Sequence, residues 1–283
     1  MQDKSDGVEK SEVDFEKIFK EKVFSERYGC KRVMLKLSGE ALAAGSGGYN
    51  DEAIKDIAAQ IMAAKNYVKN CTEKSLKVVG GIESEEESKR GRLDVGIVIG
   101  GGNYWRGRTS ENIDRVKADQ IGMLATIMNC IYVSEIFRSE GIATAVFSSF
   151  TCGTLTELFS KDRVNQCFEE GKVVFFAGGT GHPYFSTDTG VVLRAVEMEA
   201  GIILLAKAVD GIYDSDPKNN PDAVKYDVVS IQEVIDKKLA VLDLTASVMC
   251  MEHKIALAVF DLNKANSIAE AMRGEINGTI VTV

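Results

Sequence analysis

Short apolar runs that end in glycine recur along the chain. The run "RVMLKLSGEAL" breaks at Ser38 and Gly39, and "DVGIVIGGG" stops in the same way at Gly100. Farther along follow "ATAVFSS", "KVVFFAGG", "GIILLAKAVDG", "IALAVFDLN" and "GTIVTV". Because these runs are continuously apolar rather than alternating, they predict strands covered on both faces. The pattern therefore indicates an α/β fold with a parallel sheet whose strand ends face one site.

Two longer segments between these runs have the pattern of helices. The segment 118–141 carries apolar residues at the spacing of one buried helix face. Those residues are Ile121, Leu124, Ile127, Met128, Ile131 and Ile136. A second helix is predicted over about 189–200, with Ser186 or Thr187 as its N-cap and the charge of Asp188 near its first turn.

Two charged segments interrupt this order. In the extension 1–30, Phe15, Ile18, Phe19 and Val23 recur at helical spacing. This extension either docks on the body or on a neighbouring subunit, or has no role in the chemistry. The segment 72–92 is crowded with glutamate, lysine and arginine. We interpret it as an exposed surface insertion, a loop placed before the strand at Val95.

Composition and charge exclude several classes of protein. The 283 residues, 45% of them hydrophobic, supply one large α/β domain or two lobes. A formal charge of −8 argues against a nucleic-acid or anionic membrane partner. Six cysteines without a CxxC pair and two histidines give no metal-ligand spacing, so we assign no metal-binding residue. No apolar run approaches about 20 residues, and the N-terminus is too acidic for a typical signal peptide, so we expect a cytoplasmic location.

Four glycine-bearing turns follow predicted strands, and two of them lead into helices whose N-terminal amides can bind anions. These turns lie at Ser38–Gly39, Gly100–Gly102, Gly178–Gly181 and Gly211. Lys36, Arg106, Asp119 and Asp188 lie near them in the pattern. Cations, amides and an orienting acid are what phosphoryl transfer requires of a protein. Neither a P-loop nor GxGxxG is present, so the turns by themselves also fit simple tight connections.

Six motifs in order carry a family resemblance. They are "KLSGEAL", "GIVIGGGNYWRG", "DRVKADQIGMLAT", "GTGHPYFSTDT", "VDGIYDSDPKNNP" and "VLDLTA". Together they resemble the bacterial-type uridylate (UMP) kinases of the amino acid kinase superfamily. The resemblance implies one catalytic domain over 31–283, folded as a three-layer α/β/α sandwich around a mainly parallel sheet. It also implies transfer of the ATP γ-phosphoryl group to UMP, giving UDP and ADP, with Mg²⁺ on the phosphates, in a homo-oligomer that is usually a hexamer.

The same resemblance assigns site residues. The residues that it assigns to ATP binding are Lys36, Leu37, Ser38, Gly39, Gly102, Arg106, Lys207, Tyr213 and Asp216. UMP binding falls to Gly101, Asp119, Thr180, Gly181, His182, Pro183, Tyr184, Phe185, Ser186 and Thr187. Catalysis falls to Lys36, Arg106 and Asp188, with Lys36 neutralising the transferring group and Asp188 organising the cations. A purely structural ion pair between Arg106 and Asp119 is an alternative.

The chain departs from the family pattern at two positions. Lys207 stands where uridylate kinases commonly carry a threonine that contacts ATP, and His182 stands where their loop has an asparagine. A long cation at Lys207 either reaches a phosphate or disturbs the adenine pocket. Two other functions stay open: a superfamily kinase acting on a carboxylate or carbamate, and a non-catalytic nucleotide-binding oligomer. The presence of Lys36 together with Asp188 favours an enzyme.

Overall fold

The computed structural model describes residues 24–25, 30–44, 48–79, 91–105, 112–217, 219–239 and 241–283. The predicted docking residues Phe15, Ile18, Phe19 and Val23 and the predicted site residue Arg106 lie outside these ranges.

Twelve strands and seven α-helices make up the described part of the chain. The strands are β1 Phe24–Ser25, β2 Cys30–Leu37, β3 Leu93–Ile99, β4 Thr144–Ser148, β5 Glu157–Leu158, β6 Val173–Ala177, β7 Ile202–Lys207, β8 Ile212–Tyr213, β9 Lys225–Tyr226, β10 Val228–Ser230, β11 Ala256–Asp261 and β12 Gly278–Thr282. The helices are α1 Asp51–Val79, α2 Arg115–Ser139, α3 Lys161–Glu169, α4 Thr187–Glu197, α5 Ile231–Asp236, α6 Leu244–His253 and α7 Ser267–Arg273, with a 3-10 turn, η1, at Gly39–Leu42.

Ten of these strands form one mainly parallel sheet in the order β10-β12-β11-β7-β2-β3-β6-β4-β5, with β1 paired to the start of β2. In this sheet order, every pair of neighbouring strands from β11 through to β5 is parallel. The β11–β12 and β1–β2 pairs are antiparallel. Strands β8 and β9 form a separate antiparallel ribbon.

Helices cover both faces of the sheet. Val33, Leu35 and Leu37 of β2 point into one core, which α1, α2 and α7 complete, while Met34 points into a second core with α3, α4, α5 and α6. Because both faces are buried, the central strands are mostly apolar, as their sequences indicated. The predicted three-layer α/β/α architecture around a mainly parallel sheet is confirmed.

The strand register brings the carboxyl ends of the central strands to one edge. Lys36 pairs with Leu205 of β7 and with Val98 of β3, and Val98 in turn pairs with Phe176 of β6. These strands therefore end within a residue or two of one another. The glycine turns that follow β2, β3 and β6 meet at this edge, which is where ligands bind in open parallel sheets.

The predicted buried face of α2 is partly wrong. Ile121, Leu124 and Met128 are 39%, 50% and 51% exposed, whereas Val133 and Phe137 are fully buried. Helical spacing identifies an apolar stripe but not what covers it. The start of α2 instead packs its small and polar side chains, Ala118, Ala125, Thr126 and Asn129, into the fold.

Two further corrections concern chain segments. Residues 72–79 continue helix α1, so the loop predicted for 72–92 is wrong over those residues. Helix α2 is long and apolar enough to cross a membrane by length and composition, contrary to the expectation that no run comes near that length. Half of its most apolar stretch is buried inside the fold, as in a core helix of a folded domain.

Candidate active site

An ion pair lies at the edge where the central strands end. Lys36 is the penultimate residue of β2, and its Nζ lies 3.3 Å from Oδ1 of Asp188. Asp188 sits in the first turn of α4, where Ser186 caps the helix by accepting hydrogen bonds from the amides of Asp188 and Thr189. The predicted helix and its cap are therefore confirmed. Both charged side chains keep part of their surface exposed, at 15% and 24%.

The turn after β3 packs so closely that glycine is needed. A Cβ on Gly39 would lie well under 3.0 Å from the carbonyl oxygen of Gly100 and from the Asn103 amide, and one on Gly101 would lie 2.9 Å from the carbonyl oxygen of Gly122. Asn129, fully buried in α2, donates to the Gly100 carbonyl at 2.7 Å and exchanges hydrogen bonds with Asn103. The two turns thereby reach the site as bare backbone.

A first cavity of about 330 Å³ opens beside Lys36. Its wall contains a large part of the predicted site: Lys36, Ser38, Gly39, Gly101, Gly102, Asp119, Thr180, His182, Phe185, Ser186 and Thr187. Glu40, Trp105, Arg115 and Met123 also line it, although the sequence singled out none of them as site residues. The cavity thus combines exposed turn backbone with charged groups of both signs.

A second cavity of about 370 Å³ lies beyond the end of β7. It is lined by the predicted residues Lys207, Tyr213 and Asp216, and also by Val209, Ile212, Pro217, Lys237, Lys238, Leu239 and Val241. The Tyr213 hydroxyl donates to Asp210 at 2.7 Å, and this bond is the main cause of a raised Tyr213 pKa. Asp216 organises the turn by accepting from the side-chain amide of Asn219 at 2.7 Å.

Asp119 ties the start of α2 to the loop 180–187. Its carboxylate accepts from Nε of Arg115 at 2.9 Å and from the backbone amide of Tyr184 at 2.8 Å. Tyr184 has a positive φ of 71°, which an L-residue adopts only with support from its surroundings. The guanidinium of Arg115 also lies over the Tyr184 ring, 5.6 Å from its centroid. Within the described residues, the cation beside Asp119 is thus Arg115.

A second acid, Asp243, links the two helices behind the ion pair. Its carboxylate accepts from the hydroxyls of Ser186 and Thr189 and caps α6 by accepting from the amide of Ala246. Asp243 therefore fixes the first turn of α4, which carries Asp188. The sequence supplied only one signal for it, an aspartate just before a helical segment in "VLDLTA".

A buried arginine supports the turn after β6. Arg194 of α4 donates to Oγ of Ser149 at 3.0 Å, and Ser149 donates to the carbonyl oxygen of Gly179 at 2.5 Å. Burial lowers the pKa of the Arg194 guanidinium, while the neighbouring Glu197 carboxylate opposes that shift. The amide of Gly178 donates to the hydroxyl of Thr126 at 2.8 Å. The turn is thus held from both sides.

Lys207, in the wall of the second cavity, brings a second ammonium group near Lys36 and Asp188. Its Nζ donates to the carbonyl oxygen of Val241 at 2.5 Å. Burial lowers the pKa of Lys207, the carboxylate of Asp188 opposes this shift, and the positive charge of Lys36 adds to it. Lys36, Asp188 and Lys207 therefore form one electrostatic group, with two cations and one anion.

A few predicted residues lie outside both cavity walls. The Leu37 side chain is fully buried in the core, and its carbonyl oxygen accepts a hydrogen bond from the amide of Gly100 at 3.0 Å. Gly181, Pro183 and Tyr184 of the loop, and Asp188 in the first turn of α4, line neither cavity. Arg106 falls outside the described residues, so its assignment stays a prediction.

No group of three or more His, Cys, Asp or Glu side chains within the described ranges is arranged to hold a metal ion. Mg²⁺ is commonly held by one or two carboxylates together with substrate phosphates. Asp188, partly exposed beside Lys36, is a carboxylate that suits this mode of binding.

A mainly parallel α/β sheet with glycine turns and a lysine–aspartate pair at its carboxyl edge suits phosphoryl transfer. The chain belongs to the amino acid kinase family, whose model matches residues 31–261. It is similar to the UMP kinase of Ureaplasma parvum, at 35% identity and a TM-score of 0.75 over 89% of this chain and 98% of that one. It is also similar to the UMP kinase of Bacillus anthracis, at 32% identity and a TM-score of 0.75, over 89% of this chain and 95% of that one.

The uridylate kinase of Archaeoglobus fulgidus, at 23% identity and a TM-score of 0.61 over 88% of this chain and 99% of that one, supports the fold alone. The resemblance drawn from the six motifs is confirmed by these comparisons. The chain is a UMP kinase-like nucleotide kinase.

The glycine packing predicts a difference between two neighbouring turns. Gly39→Ala should lower the free energy of unfolding by about 2 kcal/mol or more, because its Cβ would overlap backbone atoms that cannot move. Gly100→Ala is the matched control, since its nearest contact would be an ordinary 3.7 Å, and it should cost less than about 1 kcal/mol. Denaturant unfolding measures both. Equal losses in the two variants would contradict the packing argument.

Proposed function

We propose that the protein is a UMP kinase that transfers the γ-phosphoryl group of ATP to UMP, giving UDP and ADP, as a step in pyrimidine nucleotide biosynthesis. One observation carries the proposal: Lys36 in the wall of the first cavity and Lys207 in the wall of the second both interact with the carboxylate of Asp188. A donor nucleotide in one cavity and an acceptor in the other would bring their phosphates together there. Such positioning supplies much of the catalysis in phosphoryl transfer.

The first cavity is proposed as the UMP site. Asp119 accepts hydrogen bonds in its wall, which suits ribose hydroxyls, and the loop 180–187 closes one side. The amides of the turns at Gly39 and Gly101 suit a phosphate group, because exposed backbone N–H groups bind anions. A volume of about 330 Å³ lies within the range of small-molecule sites.

The second cavity is proposed as the ATP site. Apolar side chains such as Ile212, Leu239 and Val241 suit the faces of an adenine ring, and Tyr213 and Asp216 add polar groups. Lys207 stands at the end nearest Lys36 and Asp188. The triphosphate would therefore run from this cavity toward the first one.

In the proposed reaction a phosphate oxygen of UMP attacks the γ-phosphorus of ATP. The new P–O bond forms as the bond to the β–γ bridging oxygen breaks, and the electron pair stays on the β-phosphate of ADP. A phosphate oxygen that is already ionised needs no general base. Lys36 stabilises the charge on the transferring group, and Asp188 holds the Lys36 ammonium in place at 3.3 Å. Mg²⁺ bound to the nucleotide phosphates would supply further charge neutralisation.

A homo-oligomer, a hexamer by resemblance, and a cytoplasmic location belong to the same proposal. The exposed row of Ile121, Leu124 and Met128 on α2 supports self-association, because covering apolar side chains removes them from water. A small-molecule acceptor, rather than nucleic acid or membrane, fits the net charge of −8.

A coupled assay for ADP release tests the proposed reaction. With ATP and Mg²⁺, we expect turnover with UMP and little or none with CMP, aspartate, glutamate or carbamate. Lys36→Ala should lower kcat at least about a hundredfold, the scale of one lost electrostatic stabiliser. Release with a carboxylate or carbamate alone would indicate another branch of the family. No release with any acceptor would indicate a non-catalytic nucleotide-binding protein.

The acceptor site gives a separate prediction. Asp119→Asn keeps the size of the side chain but removes a charge that holds Arg115 and the Tyr184 amide. We expect KM for UMP to rise about tenfold or more while KM for ATP stays within about twofold, because hydrogen bonds to charged groups contribute about 1.5–3 kcal/mol. Steady-state kinetics with each substrate varied in turn measures both.

Asp162→Asn, on the exposed first turn of α3, is the matched control for loss of a carboxylate away from both cavities. Equal increases in both KM values for Asp119→Asn would show that Asp119 is a structural residue rather than part of the acceptor site.

A further inference from the structure

Lys207 and Lys36 lie on the same face of the sheet. Lys36 pairs with Leu205 across the β2–β7 ladder, and Lys207 follows Leu205 by two residues. Because side chains in a strand alternate between faces, residues two apart point the same way. Lys207 therefore projects toward α4 and α6, on the side where Lys36 meets Asp188.

The ammonium group of Lys207 is held by a neutral partner. Its Nζ donates to the carbonyl oxygen of Val241, a residue that also lines the second cavity. No carboxylate among the described residues lies within ion-pair distance of it. A lysine ammonium has three donors, so this single hydrogen bond leaves donors for a ligand.

The balance of charge around Asp188 favours an anionic ligand. Lys36 and Lys207 together carry two positive charges, and Asp188 is the carboxylate that interacts with both. Placing a second ammonium in a largely buried position beside another cation is unfavourable without a compensating anion. A polyphosphate chain would supply that charge.

We propose that Lys207 is a second phosphate-binding cation, which enters from the ATP side and stabilises the charge that develops on the β-phosphate as the bond to the γ-phosphorus breaks. This inference rests on the proposed function, and it separates two roles. Lys36 lies in the wall of the acceptor cavity and acts on the transferring group, whereas Lys207 lies in the wall of the donor cavity and acts on the leaving group.

Lys207 also distinguishes this chain from the uridylate kinases that its motifs resemble. A threonine hydroxyl, common there in uridylate kinases, offers one neutral hydrogen bond to ATP. Lys207 replaces it with a full charge on a flexible stem. The alternative is a structural role, in which Lys207 only ties the end of β7 to the segment at Val241.

Equilibrium binding separates the two roles without any need for turnover. Calorimetric titration of Lys207→Met with AMP, ADP and β,γ-imido-ATP, each with Mg²⁺, should show an unchanged Kd for AMP. Its Kd for ADP and for the triphosphate analogue should rise about tenfold or more, because the lost charge acts on phosphates beyond the first. A structural role would weaken all three nucleotides together.

Two further variants keep the test decisive. Lys207→Gln retains a donor for the Val241 carbonyl but not the charge, so it should bind like Lys207→Met, whereas Lys207→Arg should recover part of the affinity. Lys55→Met removes a lysine of helix α1 that pairs with Glu140 at the end of α2 and lines neither cavity, so the affinities of this variant should equal those of the wild type. Thermal unfolding of each variant identifies any that fails to fold.

Kinetics adds a readout tied to the reaction. In Lys207→Gln, kcat for UMP phosphorylation should fall about a hundredfold while KM for UMP stays within about twofold. Wild-type binding of all three nucleotides by Lys207→Gln, or equal weakening that includes AMP, would overturn the proposal. If the wild-type protein binds ATP but forms no UDP, the proposed function fails, while the binding series still decides the role of Lys207.

Discussion

The contact between Lys36 and Asp188, at 3.3 Å, is the constraint on which the rest of the site depends. Lys36 is fixed by the ladders that β2 forms with β3 and β7, so its Cα cannot move without disturbing the centre of the sheet. Asp188 is fixed by the first turn of α4. Lys36 is therefore a rigid point in the wall of the first cavity, and a phosphoryl group transferred there would meet a preorganised cation.

Two supports keep that point in place. On one side, Asp243 accepts from Ser186 and Thr189 and so holds the start of α4 against the start of α6. On the other, the buried Asn129 amide holds the turn after β3 close to Gly39. Both supports are polar groups inside the fold whose hydrogen bonds are satisfied, and such networks favour one arrangement over its neighbours. The backbone of the turn is therefore already ordered, so a ligand that binds there does not have to order it.

Much of this architecture could be predicted from the sequence, for a physical reason. Glycine-ended apolar runs predicted β2, β3 and β6 because only buried parallel strands need continuous apolar sequence, and Ser186 marked the start of α4 as a cap. What escaped prediction depends on contacts between distant segments. Asp243 meets Ser186 across 57 residues, and Asp119 accepts from the amide of Tyr184 across 65 residues. The exposure of Leu124 and Met128 could not be predicted from their spacing, because helical spacing does not show whether another part of the fold packs against an apolar face.

The proposed reaction requires two nucleotides to meet end to end at Lys36 and Asp188. Inhibition by a bisubstrate analogue, adenosine and uridine joined through their 5′ positions by five phosphates, tests this arrangement most directly. Such a molecule would fill both cavities at once and place its phosphate chain across the lysine–aspartate pair. We expect competitive inhibition against ATP and, separately, against UMP, with an inhibition constant far below the KM of either substrate. Competition with one substrate alone, with no gain in affinity over a single nucleotide, would contradict it.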